Sequence, residues 1–283
     1  MKTGKQNCPS FASDCYEYFA APEINNLCQG ISERKPKKDI NVKCELLDYG
    51  DHYIRLCPYK LETTNNDGNY VGVIHGLMSF EEVETLKNKA KGKMKATPYS
   101  INNIQKDFSY KRSSKVKYVS ERNNDLALKI TKRMEHALQF NIFSPNYRFN
   151  AENYQLMNYG FGGLIDLHFD AVNLYYNNHI GGGRLTTSMI YLSDPESGGF
   201  TIFPKLGLYF KPKSGDMLFW NLKKTDGDSD EGMWHLGCPV LYGDKWILNK
   251  WIRWGAQMFK YKCFLPKGDN FKSNAQIVAQ YPS

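Results

Sequence analysis

The sequence predicts a mainly β protein of the α+β class, an antiparallel sandwich or barrel with helices set in front of it. Three observations predict this. From Tyr154 onward the apolar residues fall in short runs, YQLMNY, LTTSMIYL, FTIFP, DMLFW and KWILNKWIRW, broken by Gly, Pro and Asp clusters, the punctuation of strands joined by turns. Upstream, two stretches repeat apolar residues at helical spacing instead. The 283 residues, 41% hydrophobic and 14% aromatic, suffice to bury one sizeable core and suit one domain with a helical preface better than two equal domains.

Taken in order, residues 1–66 read as a polar, linker-like segment, and 67–283 as one domain whose β core spans about 150–263. Ser79 to Lys93 reads as a helix opened by a capping box, with Ser79 as cap and Glu82 three residues on. A second helix runs from the cap Asn124 to about Phe140, and Leu126, Ile130, Met134 and Leu138 line one stripe of it. On the strand that starts at Lys245, side chains alternate between faces. Lys245, Ile247, Asn249, Trp251 and Arg253 share one face, expected to point inward, and Trp246, Leu248, Ile252 and Trp254 share the other.

The chemistry sits on these strands. His168 and Asp170, in LIDLHFDA, are two apart and emerge on one face of a strand, so both can grip one metal ion. Alone, such a pair more often satisfies local hydrogen bonds. His235, in MWHLGCPV, is the candidate third ligand. Two histidines and one carboxylate on one face of an octahedral ion leave positions open for a bidentate cosubstrate and for dioxygen, the arrangement of non-haem Fe(II) oxygenases. Ten residues beyond His235 stands Lys245, whose ammonium suits the remote carboxylate of a keto acid chelating the iron.

Several function classes are excluded. The formal charge of +8 comes from scattered cations with no nucleic-acid-binding signature, so no nucleic acid is expected. No apolar run approaches the roughly 18–20 residues of a membrane span. The acidic run TDGDSDEG has Glu231 and Gly237 where a calcium loop needs glycine and glutamate, and reads as a solvated loop. Gly181 to Gly183 lack a phosphate-cradling pattern and read as a mobile loop near the substrate entrance. None of the seven cysteines forms a Cys-x-x-Cys pair, which argues against a thiolate zinc site.

Read in order, NYGFGG, HFD, GGFTIFP, HLGCPVLYGDKWILNKWIR and GAQMF resemble the catalytic domain of the prolyl 4-hydroxylases, specifically the alpha subunit of the collagen enzyme. CELLDYGDHYIRLCPYKLE, IHGLMSFEEVETLKNKAK and YKRSSKVKYV extend the resemblance upstream to about Cys28. It implies a double-stranded β-helix, or jelly roll, buttressed by the preceding helices. It also implies Fe(II) on His168, Asp170 and His235, with 2-oxoglutarate and O2 as cosubstrates and ascorbate as reductant. Lys245, Thr201 and Tyr159 would orient the keto acid, and Arg184, Trp251 and Arg253 would stand on the substrate side. The implied reaction hydroxylates a peptidyl proline in a collagen-like or proline-rich peptide while 2-oxoglutarate becomes succinate.

The resemblance further implies the endoplasmic reticulum lumen, protein disulfide isomerase as a partner by analogy, and disulfides Cys28–Cys44 and Cys238–Cys263. Cys8, Cys15 and Cys57 have no counterpart. The opening residues MKTGKQNCPSFASDC lack the apolar core of a signal peptide, so a fragment or incomplete gene product is expected rather than a different location. Three departures bear on substrate. Ile165 and Leu167 replace a tyrosine and a proline common in the family, and Arg253 stands where several relatives have histidine. Two readings therefore stay beside the first, a catalytically weak proline-peptide-binding subunit and a 2-oxoglutarate oxygenase acting on another substrate.

Overall fold

A computed structural model describes residues 21–31, 41–66, 69–97, 99–101, 104–106, 112–143, 149–170, 182–224 and 228–257. The strands in chain order are β1 Asn41–Leu47, β2 Tyr59–Asn66, β3 Asn69–His75, β4 Lys95–Ala96, β5 Tyr99–Ile101, β6 Ile104–Lys106, β7 Lys115–Val119, β8 Tyr154–Tyr159 and β9 Ile165–His168. They continue as β10 Arg184–Tyr191, β11 Ser197–Gly198, β12 Thr201–Phe203, β13 Leu208–Phe210, β14 Met217–Asn221, β15 His235–Gly237, β16 Val240–Tyr242 and β17 Lys245–Arg253. The helices are α1 Pro22–Cys28, α2 Phe80–Ala90 and α3 Asp125–Leu138.

A nine-stranded sheet runs β1-β2-β3-β14-β10-β17-β8-β7-β4, and a four-stranded sheet runs β13-β12-β15-β9. One face of the large sheet packs on α2 and α3, through Ile74, Leu156, Leu248 and Ile252 against Val83, Leu86, Ile130 and Met134. The other face packs on the small sheet, through Met157, Tyr159, Tyr191, Trp220 and Ile247 against Phe203 and Met233. Helices, large sheet and small sheet thus form successive layers, with the expected ligands on the small one. This is the mainly β, jelly-roll arrangement with buttressing helices that the sequence predicts.

Both helices start where their capping residues stand. Ser79 accepts from the Glu82 N–H while the Glu82 carboxylate accepts from the Ser79 N–H, so the capping box is complete. Asn124 accepts from the Ala127 N–H at 3.2 Å. Glu82 also takes a two-pronged bond from Arg133 of α3, at 2.8 and 2.9 Å. That guanidinium holds the Glu82 carboxyl down at about 2 and locks the two helices together.

Alternation along β17 holds, with Ile247 in the core facing the small sheet and Trp246, Leu248 and Ile252 in the core facing the helices. Trp254 departs from the expected pattern: it lies past the end of β17, is 38% exposed, and closes against Gly182. Gly182 and Gly183 are correspondingly tied to Trp254. The Gly183 carbonyl accepts from the Trp254 N–H, Gly182 adopts φ +69 where no side chain fits beside the indole, and Gly181 lies outside the described residues.

Three further expectations are corrected. Residues 41–66, read as linker-like, pair into the large sheet as β1 and β2, so residue 67 is no break in the fold. Cys28 bonds to Cys238, not to Cys44, which is free and exposed. The reason is packing: α1 sets Ile24 and Leu27 against Ile202, Leu236 and Cys238, while Cys44 rides the edge strand β1. Cys263 lies outside the described residues. In the acidic run Asp230 is not solvated; it is buried, and it caps the turn before His235 by accepting from the Gly232 N–H at 3.0 Å. Among the described residues, no helix is long and apolar enough to cross a membrane.

Candidate metal centre and cosubstrate pocket

His168 and His235 face each other because β9 and β15 pair antiparallel with these two residues in register. Asp170, just past the end of β9, completes the group. One ligand atom from each of the three lies within 4.8 Å of the others. Asp170 Oδ1 is 3.6 Å from His168 Nε2, and Oδ2 is 3.5 Å from His235 Nε2.

Both imidazoles are aimed the same way. His168 Nδ1 meets the Asp166 carbonyl and His235 Nδ1 the Met233 carbonyl, each at 2.8 Å. A carbonyl only accepts, so each Nδ1 carries the proton and each Nε2 turns a lone pair to the centre. Trp220 and Phe203 pack against the His235 ring, and Thr187 Oγ1 donates to Asp170 Oδ2 at 2.8 Å. Burial and then the neighbouring His235 keep the His168 imidazole neutral, well below its usual range. Burial alone would raise the Asp170 carboxyl, but His235, His168 and Arg184 outweigh it and keep it ionised. Two imidazoles that aim Nε2 inward and one carboxylate are the donor set that suits Fe(II).

The residues expected to orient the keto acid converge beside this centre. Lys245 is 4% exposed, and its ammonium donates to Thr201 Oγ1 at 3.2 Å. Thr201 also accepts from the Tyr191 hydroxyl at 2.9 Å. Tyr159, directly across the β17–β8 ladder from Lys245, lends its ring face to the ammonium at 5.9 Å, as Tyr191 does at 5.6 Å. No carboxylate pairs with Lys245 among the described residues, and burial pulls its ammonium down to about 7. A buried cation left in this state calls for an anion.

The residues expected on the substrate side are also brought together, but their charges are spent. Arg184 donates to both oxygens of Glu152, at 2.7 and 2.9 Å, and to the Asp170 carbonyl at 3.0 Å. Its guanidinium lies 3.5 Å above the Trp251 ring. Arg253 donates to Glu152 at 2.9 Å and to the Gly182 carbonyl. Ile165 packs against the core with its side chain over Gly237, where a methyl group would already clash.

Sequence reasoning missed Glu152, Thr187 and Tyr191. Thr187 and Tyr191 were within reach, since strand parity on LTTSMIYL puts residues 187, 189 and 191 on one face, and Met189 and Tyr191 lie in the core beside the site. Glu152 precedes the first strand of the β core in a segment with no periodicity, so nothing in the pattern pointed to it.

The comparisons with known proteins agree with this geometry. Residues 154–253 match the 2OG-Fe(II) oxygenase superfamily. Prolyl 4-hydroxylase subunit alpha-2 of Caenorhabditis elegans is 32% identical over 267 residues, covering 90% of this chain and 48% of that one. Subunit alpha-1 of Homo sapiens is 32% identical over 197 residues, 68% of this chain and 36% of that one. The viral collagen prolyl hydroxylase of Paramecium Bursaria Chlorella virus-1, solved as a 2OG complex, has a TM-score of 0.52 at 28% identity, covering 66% of this chain and 97% of that one. The chain spans about half the length or less of the curated relatives it matches.

Proposed function

We propose, for a chain that belongs to the 2OG-Fe(II) oxygenase superfamily, that it hydroxylates peptidyl proline in collagen-like X-Pro-Gly sequence. The observation that carries this reading is the meeting, in one site between the sheets, of three convergent ligand atoms with a buried ammonium that no carboxylate among the described residues neutralises.

Fe(II) held there would, with 2-oxoglutarate and O2, supply the oxidising power for decarboxylation to succinate and carbon dioxide, one oxygen atom going to succinate and the other to the substrate carbon. His168, Asp170 and His235 would hold the ion. Lys245 and Thr201 receive the remote carboxylate of 2-oxoglutarate, and Tyr159 packs beside them. The wall of Trp251 and Arg184, backed by Arg253 and Glu152, orients the peptide. The aromatic residues around His235 keep stray water from the reacting face.

Ascorbate as reductant, the lumen of the endoplasmic reticulum as compartment and protein disulfide isomerase as partner belong to the same proposal. Likeness to the alpha subunits supports them, and the Cys28–Cys238 bond fits an oxidising compartment. Ile165 favours a second reading, an oxygenase with another substrate, because an apolar side chain gives a bound peptide no hydrogen bond.

The test is anaerobic loading with Fe(II) and 2-oxoglutarate, then oxygen with a (Pro-Pro-Gly) repeat peptide, followed by mass spectrometry. The expected result is one oxygen atom gained on the proline before glycine, with succinate in equal amount. Succinate stimulated only by a different substrate would favour the second reading, and peptide binding with no succinate would make the chain a binding subunit.

A further inference from the structure

We propose that Lys250 is a positioning residue for the peptide wall, acting through the sheet from the helix side. The inference rests on the peptide-hydroxylating reading above. Lys250 lies on the face of β17 opposite Lys245, at 1% exposure. Its neighbours on that face of β17, Leu248 and Ile252, and the Tyr154 ring beneath its ammonium belong to the apolar core, where a methionine of similar shape carries no charge. An ammonium there has to be held on every side.

Its partners are specific. The ammonium forms an ion pair with Glu121, at the start of the 3-10 turn that precedes α3, and sits 4.1 Å above the Tyr154 ring. Thr131 of α3 donates to Glu121 at 3.2 Å and shares a 2.7 Å bond with the Tyr154 hydroxyl. The remaining partner leaves this network: Lys250 Nζ donates to the backbone carbonyl of Glu152 at 2.8 Å.

Residue 152 lies outside any strand, so its main chain is held by β17 alone at two points. Its N–H donates to the Trp251 carbonyl at 2.9 Å, and its carbonyl accepts from Lys250. The Glu152 carboxylate in turn holds Arg184 and Arg253 on the opposite face. Lys250 therefore fixes the backbone from which the two wall arginines are aimed, while Lys245, at the far end of the same strand, and the rings of His168 and His235 are held by other bonds.

The experiment compares the full chain with Lys250→Met and Glu121→Gln. Binding of a (Pro-Pro-Gly) repeat peptide and of 2-oxoglutarate is measured by calorimetry with anaerobic Fe(II), alongside KM and kcat for each. The expected result is a peptide Kd and KM weakened on the order of tenfold in Lys250→Met, with a larger share of 2-oxoglutarate consumed without peptide oxidation. Affinity for 2-oxoglutarate should stay within about twofold. Glu121→Gln, which keeps a hydrogen-bonding oxygen, should show the same pattern more weakly and serves if the methionine variant does not fold. Unchanged peptide affinity in a folded variant, or equal losses for peptide and 2-oxoglutarate, would overturn the proposal. If the unsubstituted chain binds 2-oxoglutarate but no proline peptide, the functional reading has failed instead.

Discussion

The two ends of β17 treat charge in opposite ways. At its first residue, Lys245 is buried, and among the described residues its ammonium meets a threonine hydroxyl and two tyrosine faces. At its last, Arg253 is equally buried but shares Glu152 with Arg184. The difference separates a charge that binds from a charge that builds. An ammonium left without a counter-ion is kept ready for an anionic ligand. Arginines already neutralised by the protein contribute shape, aromatic stacking and fixed direction. The resemblance implies one cosubstrate-facing cation, Lys245, and two substrate-facing ones, Arg184 and Arg253, and among the described residues the structure leaves Lys245 without a carboxylate partner.

The largest effect should come from the candidate metal ligands, carried by the facing sheet and its edge. Asp170→Ala or His235→Ala is expected to abolish succinate formation while the melting temperature stays near that of the parent, read by thermal denaturation; substantial remaining turnover would remove that residue from the ligand set.

Glu152→Ala breaks the comparison at the building end. Two guanidiniums, on side chains only 4% and 16% exposed, lose their counter-ion, and unfolding by denaturant should show a loss of about 3–5 kcal/mol. Lys245→Met should do the reverse, leaving stability equal or improved by removing an unpaired buried cation, yet raising the 2-oxoglutarate requirement on the order of a hundredfold, the scale of a lost charged contact. A stability loss from Lys245→Met matching that from Glu152→Ala would erase the distinction.

The smallest effect is expected away from the site. Glu82→Ala removes both the capping box and the fork to Arg133, at a cost of about 2–4 kcal/mol with activity unchanged below the melting range. The Glu82 carboxyl sits lower in the folded chain than its ordinary 4.5, at about 2. Its contribution is therefore complete above about pH 4.5 and lost as pH falls toward about 2, so the parent and variant stability curves should converge in acid.

Much of this was legible in the sequence for identifiable reasons. Capping signals fix helix starts locally, which is why Ser79 and Asn124 were found. Period-2 alternation fixes which residues share a face, which is why Lys245 and Ile247 were placed correctly on β17. His168 and Asp170 sit two apart, so their convergence also needed no tertiary knowledge. What escaped depends on contacts distant in the chain. The Cys28–Cys238 bond follows from where α1 docks, 210 residues away in sequence. Glu152 reaches Arg253 across 101 residues from an irregular segment. Residues 41–66 looked like a linker because their pairing partners, β2 with β3 above all, become visible only in the sheet.

The most direct test of the contrast along β17 is the dissociation constant of 2-oxoglutarate, measured anaerobically with Fe(II) for the parent and Lys245→Met from about pH 6 to about pH 9. Burial lowers the Lys245 ammonium from 10.5 to about 7. The free protein therefore loses that proton as pH rises through about 7, and binding the dianion must restore it. Parent affinity should weaken as pH climbs above about 7, approaching about tenfold per pH unit, while the methionine variant binds weakly with no such slope. Identical pH profiles in the two proteins would contradict the claim that Lys245 is held without a counter-charge in order to receive one.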